Sequence, residues 1–349
     1  MTTLHEIARL SGVGKSTVSR VINGSAGVSD ETRDRVLAVV EELKYTPNGA
    51  ARTVRRRQSG LVAAVFDNGT AEPFQQPFFQ SVLDGLKRAL NADGYDLLLL
   101  TKDQTGGFRK RAHYFSADAV VMMGVSAGDP DVDQLVAEQL PAVAIDARIE
   151  GPRAGYVTSD NVDGAVQAVA HFHALGRRRI AIINGLANTW PAQERLAGFR
   201  AAMRDWGMAI AADFEQRGDF YHQSGYEAMR RLLSKREPPD AVFASSDMMA
   251  LGALQALQEQ GVQVPDEVAV VGFDDNPFAR WCRPSLTTLR QDGALIGETA
   301  GRAVTAMVLR DAPPPAIRLP VELIVRDSTT PRRPERVGGV SSLLRGGDG

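Results

Sequence analysis

The chain is nearly without cysteine: Cys282 is the only one in 349 residues. That excludes a disulfide framework and a multi-cysteine zinc site, and it fits a reducing compartment. The opening MTTLHEIARL lacks the basic-then-apolar layout of an export signal. No apolar run approaches the roughly 20 residues that a membrane span needs. Together these absences predict a cytoplasmic protein with no membrane partner, in which the glycosylation-like triplets at Asn23 and Asn68 carry no weight. No resident metal or cofactor is expected.

What is present suits a soluble globular protein: 44% of residues are apolar and 23% charged. The length suggests two or three domains. Net charge is −2, but it is unevenly spread. Residues 1–58 carry ten Lys/Arg against six Asp/Glu, whereas residues 59–349 carry 30 against 36. A basic head on an acidic body is the footprint of one part that meets phosphate and one that does not.

Leu4, Ile7 and Ala8 recur at helical spacing, so residues 4–10 read as a short amphipathic helix. Turn residues at 11–14 interrupt it, and residues 15–22 form a second helix. Val18, Val21 and Ile22 should face inward, leaving Lys15, Ser16, Thr17, Ser19 and Arg20 facing out. Two short helices around a glycine-bearing turn make a helix-turn-helix, whose second helix fits the DNA major groove. Cations and short hydroxyls are what close approach to base edges and phosphate requires. A third helix is expected over 30–44, capped by Ser29 or Asp30, with Val36, Val39, Val40 and Leu43 as its apolar stripe.

Beyond residue 60 the texture becomes strand–helix alternation. Apolar runs at 61–66, 96–100, 118–123, 142–146, 180–184, 241–244 and 268–273 read as buried strands. Helical segments lie between them, among them 79–92, 162–175, 192–206, 224–235 and 247–260. The fold class is therefore α/β, an all-α head joined to doubly wound parallel sheets. Such sheets bind ligands beyond the carboxyl ends of their strands.

Several strings go beyond generic patterns. Leu4-His-Glu-Ile-Ala-Arg-Leu-Ser-Gly-Val, Ser16-Thr-Val-Ser-Arg-Val-Ile-Asn-Gly24, Val28-Ser-Asp-Glu-Thr-Arg33 and Tyr45-Thr-Pro-Asn48 closely resemble the lactose-repressor (LacI/GalR) family. So do Leu175-Gly-Arg-Arg-Arg179, Ser246-Asp-Met-Met-Ala-Leu-Gly252, Val264-Pro-Asp-Glu-Val268 and Leu286-Thr-Thr-Leu-Arg-Gln291. The resemblance spans residues 3–330 and implies a head at 1–46, a hinge at 47–59 and a periplasmic-binding-protein-like body at 60–330. In that body the chain crosses three times between two subdomains, with a small-molecule effector in the cleft. The tail, 331–349, reads as disordered, without leucine heptads for a tetramer.

The resemblance also assigns residues. Lys15, Ser16 and Arg20 would read bases, and Thr17 and Asn23 would contact phosphate. In the hinge, Arg55, Arg56 and Arg57 would add phosphate contacts and Val54 would be the minor-groove wedge. There are departures: Gly14 stands where the family has a capping serine, Val54 where it has leucine, and Gly49 weakens a hinge helix. Arg195 and Asp274 would grip effector hydroxyls. Asp146, Ser246 and Asp247 sit at equivalent strand exits, while Phe220, Trp190, Phe78 and Phe79 are either stacking walls or core. Purine-binding relatives have an arginine where this chain has Thr189, which tilts the effector towards a sugar. One helix per half-site requires a homodimer on a pseudo-palindromic operator. The resemblance implies a repressor, with an activator or a corepressor-dependent regulator as the alternative.

One motif competes. Gly124-Val-Ser-Ala-Gly128 follows an apolar run as a hydrolase nucleophile elbow would, with Ser126 as nucleophile. The elbow needs a helix starting at the serine itself, and here the next helix is expected only near Pro130, so no enzymatic activity is expected.

Overall fold

A computed structural model describes residues 3–22, 27–45, 58–66, 76–101, 107–125 and 128–330. Asn23, Gly49, Val54, Arg55, Arg56, Arg57, Ser126 and the tail from 331 lie outside the described residues. The chain divides into two compact units, Met1–Ser59 and Gly60–Gly349.

In the first unit, Thr3 caps α1 (Leu4–Ser11), and Gly12 ends it with a left-handed φ of 68° that only glycine adopts without strain. The second helix, α2 (Lys15–Ile22), starts where the Gly14 carbonyl accepts the amides of Thr17 and Val18 at 2.9 and 3.1 Å. Ser29 caps α3 (Asp30–Glu42), which places two acids in its positive first turn. Ile7, Val18, Val21 and Val36 form the buried centre, with Leu4, Val39, Val40 and Leu43 packed on it. The stripes expected from the sequence are therefore the ones that meet. Ser19 is a correction: it is buried beside Val18, not outward-facing, and its small side chain can enter the core.

The second unit holds two six-stranded sheets. The first runs β11-β5-β4-β3-β1-β2 and is parallel throughout. It uses β1 (Leu61–Phe66), β2 (Asp96–Thr101), β3 (Ala119–Met123), β4 (Ala142–Ile145), β5 (Ala154–Ser159) and β11 (Ala316–Leu319). The second runs β12-β10-β9-β8-β6-β7, built from β6 (Ile180–Asn184), β7 (Glu215–Arg217), β8 (Ala241–Ala244), β9 (Ala269–Asp274), β10 (Thr287–Arg290) and β12 (Glu322–Ile324). Its edge strand β12 is antiparallel to β10. The helices are α4 (Pro77–Ala92), α5 (Gly107–Tyr114), α6 (Pro130–Ala137), α7 (Asn161–Ala174), α8 (Trp190–Asp205), α9 (His222–Leu233), α10 (Asp247–Glu259) and α11 (Gly293–Arg310).

Strand β1 shows why the sheets are covered on both faces. Val62, Ala64 and Phe66 enter one apolar cluster, Ala63 and Val65 the other. In β9, Ala269, Val271 and Phe273 face one way and Val270 the other. Near-continuous apolar strands of this kind are stable only between two helical layers, each buried large side chain contributing about 1.5–3 kcal/mol. The chain passes between the sheets three times: β5 to α7, β10 to α11, and β11 to β12. At the second passage α11 lies backbone to backbone on α4. A Cβ on Gly297 would sit 1.9 Å from the Val82 carbonyl oxygen, so only glycine fits there.

Candidate functional site

Beyond the carboxyl ends of both sheets lies a cleft of about 650 Å3, part of it open to solvent. Arg195, one turn into α8 and 3% exposed, is its best-anchored wall residue. Its Nε donates to Asn161 Oδ1 at 2.8 Å and its Nη1 to the Ser245 carbonyl at 2.6 Å. The guanidinium lies 3.5 Å above the Phe273 ring centre. Nη2 has no protein acceptor among the described residues.

Asp274 ends β9, and its Oδ1 accepts Gln291 Nε2 at 2.6 Å. Gln291 in turn accepts Ser159 Oγ at 2.8 Å, so one hydrogen-bonded chain ties the end of β5 to the end of β10. Asp146, just past β4, accepts Thr158 Oγ1 at 2.7 Å. Asp146, Phe220, Asp274 and Asp275 all have left-handed backbones, with φ of 56°, 72°, 125° and 56°. Each such residue stores about 1–3 kcal/mol of strain and persists only where its surroundings over-determine it. The surroundings do so here. Asp247 accepts the Asn276 amide at 2.7 Å and Thr288 Oγ1 at 2.5 Å. Arg326 holds Asp275 at 2.5 Å, and the Phe220 carbonyl accepts Ser246 Oγ at 3.0 Å. The Phe220 ring lies on Gly185, where any Cβ would come within 1.9 Å of it.

Leaving water dominates the electrostatics of these groups. It pulls Arg195 down from its usual value, while Asp274 and Asp146 hold it up. Desolvation pushes the Asp274 carboxyl up to about 6 against the opposing pull of Arg195. Asp146 is raised for the same first reason, and Asp247 is raised strongly by burial and by the charge of Asp274.

The first unit offers a different surface. Lys15, Ser16 and Arg20 are exposed on α2 and Thr17 is half-exposed. Ser16 and Arg20 stand one turn apart, so they share a face. No hydrogen bond within the head takes up Lys15 or Arg20 among the described residues.

Comparison with known proteins fits both surfaces. Residues 3–48 match the model for bacterial regulatory proteins of the lacI family, and residues 169–329 match a periplasmic binding protein-like domain. The HTH-type transcriptional regulator CelR of Thermobifida fusca is 37% identical over 336 residues, covering 93% of this chain and 98% of that one. The chain belongs to the LacI family of bacterial transcription regulators. The ribose operon repressor of Escherichia coli is 33% identical over 309 residues, covering 86% of this chain and 91% of the relative. Two solved structures superpose on nearly all of it. The CelR–cellobiose complex does so with a TM-score of 0.72 at 35% identity, covering 94% of this chain and 100% of that one. The lac repressor dimer bound to operator and the anti-inducer ONPF does so with a TM-score of 0.83 at 28% identity, covering 94% and 99%.

Of the effector residues expected in this LacI-family chain, Arg195, Asp274, Asp146, Ser246, Phe220, Phe78 and Phe79 line the cleft. Asp247 and Trp190 do not. Asp247 is fully buried behind Ser246 as the brace of the 274–276 turn. Trp190 packs edge-on against Tyr156 at 5.1 Å with the Arg318 guanidinium 5.0 Å from its ring centre. Arg318 is gripped by both oxygens of Glu194, which joins α8 to β11 outside the cleft. Phe78 is core and wall at once. Gln291 and Asp219 also line the cleft; Gln291 follows β10 directly, a strand-exit signal visible in the sequence. In the hydrolase alternative a helix would begin at Ser126, but α6 begins at Pro130 with Asp129 as its cap. Among the described residues no cluster of His, Cys, Asp and Glu could hold a metal, and no helix is long and apolar enough to cross a membrane.

Proposed function

We propose that this regulator is a repressor that binds a pseudo-palindromic operator as a homodimer, under the control of a saccharide in the cleft. The observation that carries the effector reading is the opposed pair Arg195 and Asp274 on a cleft with aromatic walls. A guanidinium with a free Nη2 and a carboxylate can together grip adjacent hydroxyls, and Phe79 and Phe220 supply flat apolar faces. A cellobiose-bound relative supports the same ligand class. Lys15, Ser16 and Arg20 read base edges, and Thr17 contacts phosphate. The dimer follows from one reading helix per half-site, and the operator-bound lac repressor dimer agrees with it. The chain works in the cytoplasm, where its DNA is, and catalyses no reaction.

Selection of bound DNA from a random pool, repeated with cellobiose and simple aldoses, tests this directly. A two-fold-related site and a loss of affinity with one sugar are expected. Sequence-indifferent binding at moderate salt would sink the operator claim. Ester hydrolysis that disappears in Ser126→Ala would show an enzyme after all.

A further inference from the structure

We infer that the cleft takes neutral or amine-bearing saccharides and turns away phosphorylated and carboxylated ones. The inference rests on the saccharide reading above and adds its charge. Among the described residues the ionisable groups lining the cleft are three carboxylates, Asp146, Asp219 and Asp274, and one cation, Arg195. Arg195 is already committed, with two nitrogens bonded to the protein and its face on Phe273. The nearby arginines are engaged elsewhere: Arg318 is held by Glu194, and Arg326 by Asp275. Among the described residues an entering anion would find a single open guanidinium nitrogen, Arg195 Nη2, set among three carboxylates.

Backbone amides offer no substitute. Helix N-termini ordinarily attract anions through unbonded N–H groups and the helix dipole. Three of them reach this cleft, and each is blunted. Pro77 opens α4 and Pro191 stands in the first turn of α8, and neither has an N–H to give. At α10, Ser246 already accepts the Met249 amide, and Asp247 places a carboxyl in the first turn. The cleft thus offers acceptors more than donors. Asp219 accepts the Tyr221 amide at 2.8 Å through Oδ1, and no donor among the described residues reaches its Oδ2. A ligand rich in hydroxyl or ammonium donors fits this wall, whereas one presenting oxyanions meets like charge.

Calorimetric titration of the full-length protein at pH 7.5 tests the rule with matched probes. These are glucose, cellobiose and ribose, the phosphates of glucose and ribose, glucuronate, and glucosamine. At least one neutral or amino sugar should bind, and its phosphorylated or carboxylated counterpart should bind at least tenfold more weakly. Asp219→Asn and Asp146→Asn should each narrow that gap. An anionic sugar binding as tightly as its neutral counterpart overturns the charge rule and leaves the saccharide reading standing. So does a gap unchanged in both variants, because it removes the electrostatic cause. If no member of the panel binds, the saccharide reading falls and this inference falls with it.

Discussion

Lys15, Ser16 and Arg20 stand in solvent on an eight-residue helix, whereas Arg195 is buried and Asp146 and Asp274 are half withdrawn from water. The first set needs nothing from the rest of the chain except a helix of the right phase, supplied by Val18 and Val21 packing on Ile7 and Val36. The second set is held against its own tendencies. Its backbone is left-handed at four positions, its carboxyls are pushed towards neutrality, and its arginine is desolvated. Each of those burdens is offset by a named partner from another element. A working surface in solvent is thus specified locally. A working surface inside a cleft is specified by contacts across the sequence.

The largest expected effect tests the buried side. Arg195→Met leaves Asp146 and Asp274 without their cation and strands the Asn161 and Ser245 acceptors. Leaving a buried acceptor unsatisfied costs about 1–3 kcal/mol for each group. At about 2–4 °C per kcal/mol for a body of this size, Tm should fall by roughly 10 °C. Effector binding in calorimetry should weaken more than 100-fold, with operator affinity in the absence of effector nearly unchanged. A normal Tm would mean that the guanidinium is not the keystone described. On the exposed side, Arg20→Ala removes one base contact worth about 1–3 kcal/mol. Operator binding should weaken about tenfold or more, and the body should keep its Tm and effector affinity. A fall in body stability in this variant would break the distinction between local and distributed sites.

The same distinction explains what could be read in advance. Strand β1, α2 and the core stripe of α3 follow from periodicity within a dozen residues. Helix α11 (Gly293–Arg310) is hard to read locally, because Gly293, Gly297 and Gly301 lower helix propensity. Those glycines make sense only with α4 laid against them. Strands β5 and β11 are likewise defined by pairing with their neighbours and not by apolar runs. At the cleft, the resemblance pointed to Asp274 and the strand-exit rule to Asp146 and Ser246, and all three line it. That rule could not separate Asp247, one residue beyond Ser246 and turned inward to brace a strained turn. Nor could it show that Trp190 would be drawn away by Tyr156 and Arg318. Residue type and position identified the neighbourhood, and rotation within it came from partners distant in sequence.

Protonation gives an intermediate effect confined to the cleft. The folded value of Asp274, about 6, lies above the unfolded carboxylate value of about 4. The ligand-free fold therefore holds an extra proton in that window, and this group's contribution to stability declines as pH rises through it. A polyol donating to Asp274 prefers the ionised form, so effector affinity runs the other way. Calorimetry should show affinity rising about tenfold between pH 5 and pH 7, with proton release on binding in the acid range. Asp274→Asn should bind weakly and flatten the profile. Affinity that instead increases towards pH 5 would mean that the carboxyl acts as a donor.

The smallest expected effect returns to the head. Gly14 occupies the position before α2 where a side-chain oxygen could accept amides of the first turn, and the backbone leaves room for one. A Cβ there meets only Ser16 Oγ, at 3.7 Å, and φ lies outside the left-handed region. Replacing a glycine cap by serine is worth a few tenths of a kcal/mol. Gly14→Ser should therefore slow hydrogen exchange of the α2 amides by roughly twofold in the intact protein. Effector affinity should not move, because no cleft residue depends on α2. Unchanged exchange in α2 would mean that the first-turn amides are already served by the Gly14 carbonyl and that the helix gains nothing from a cap. A shift in effector affinity would show instead that even this locally specified surface is coupled to the body.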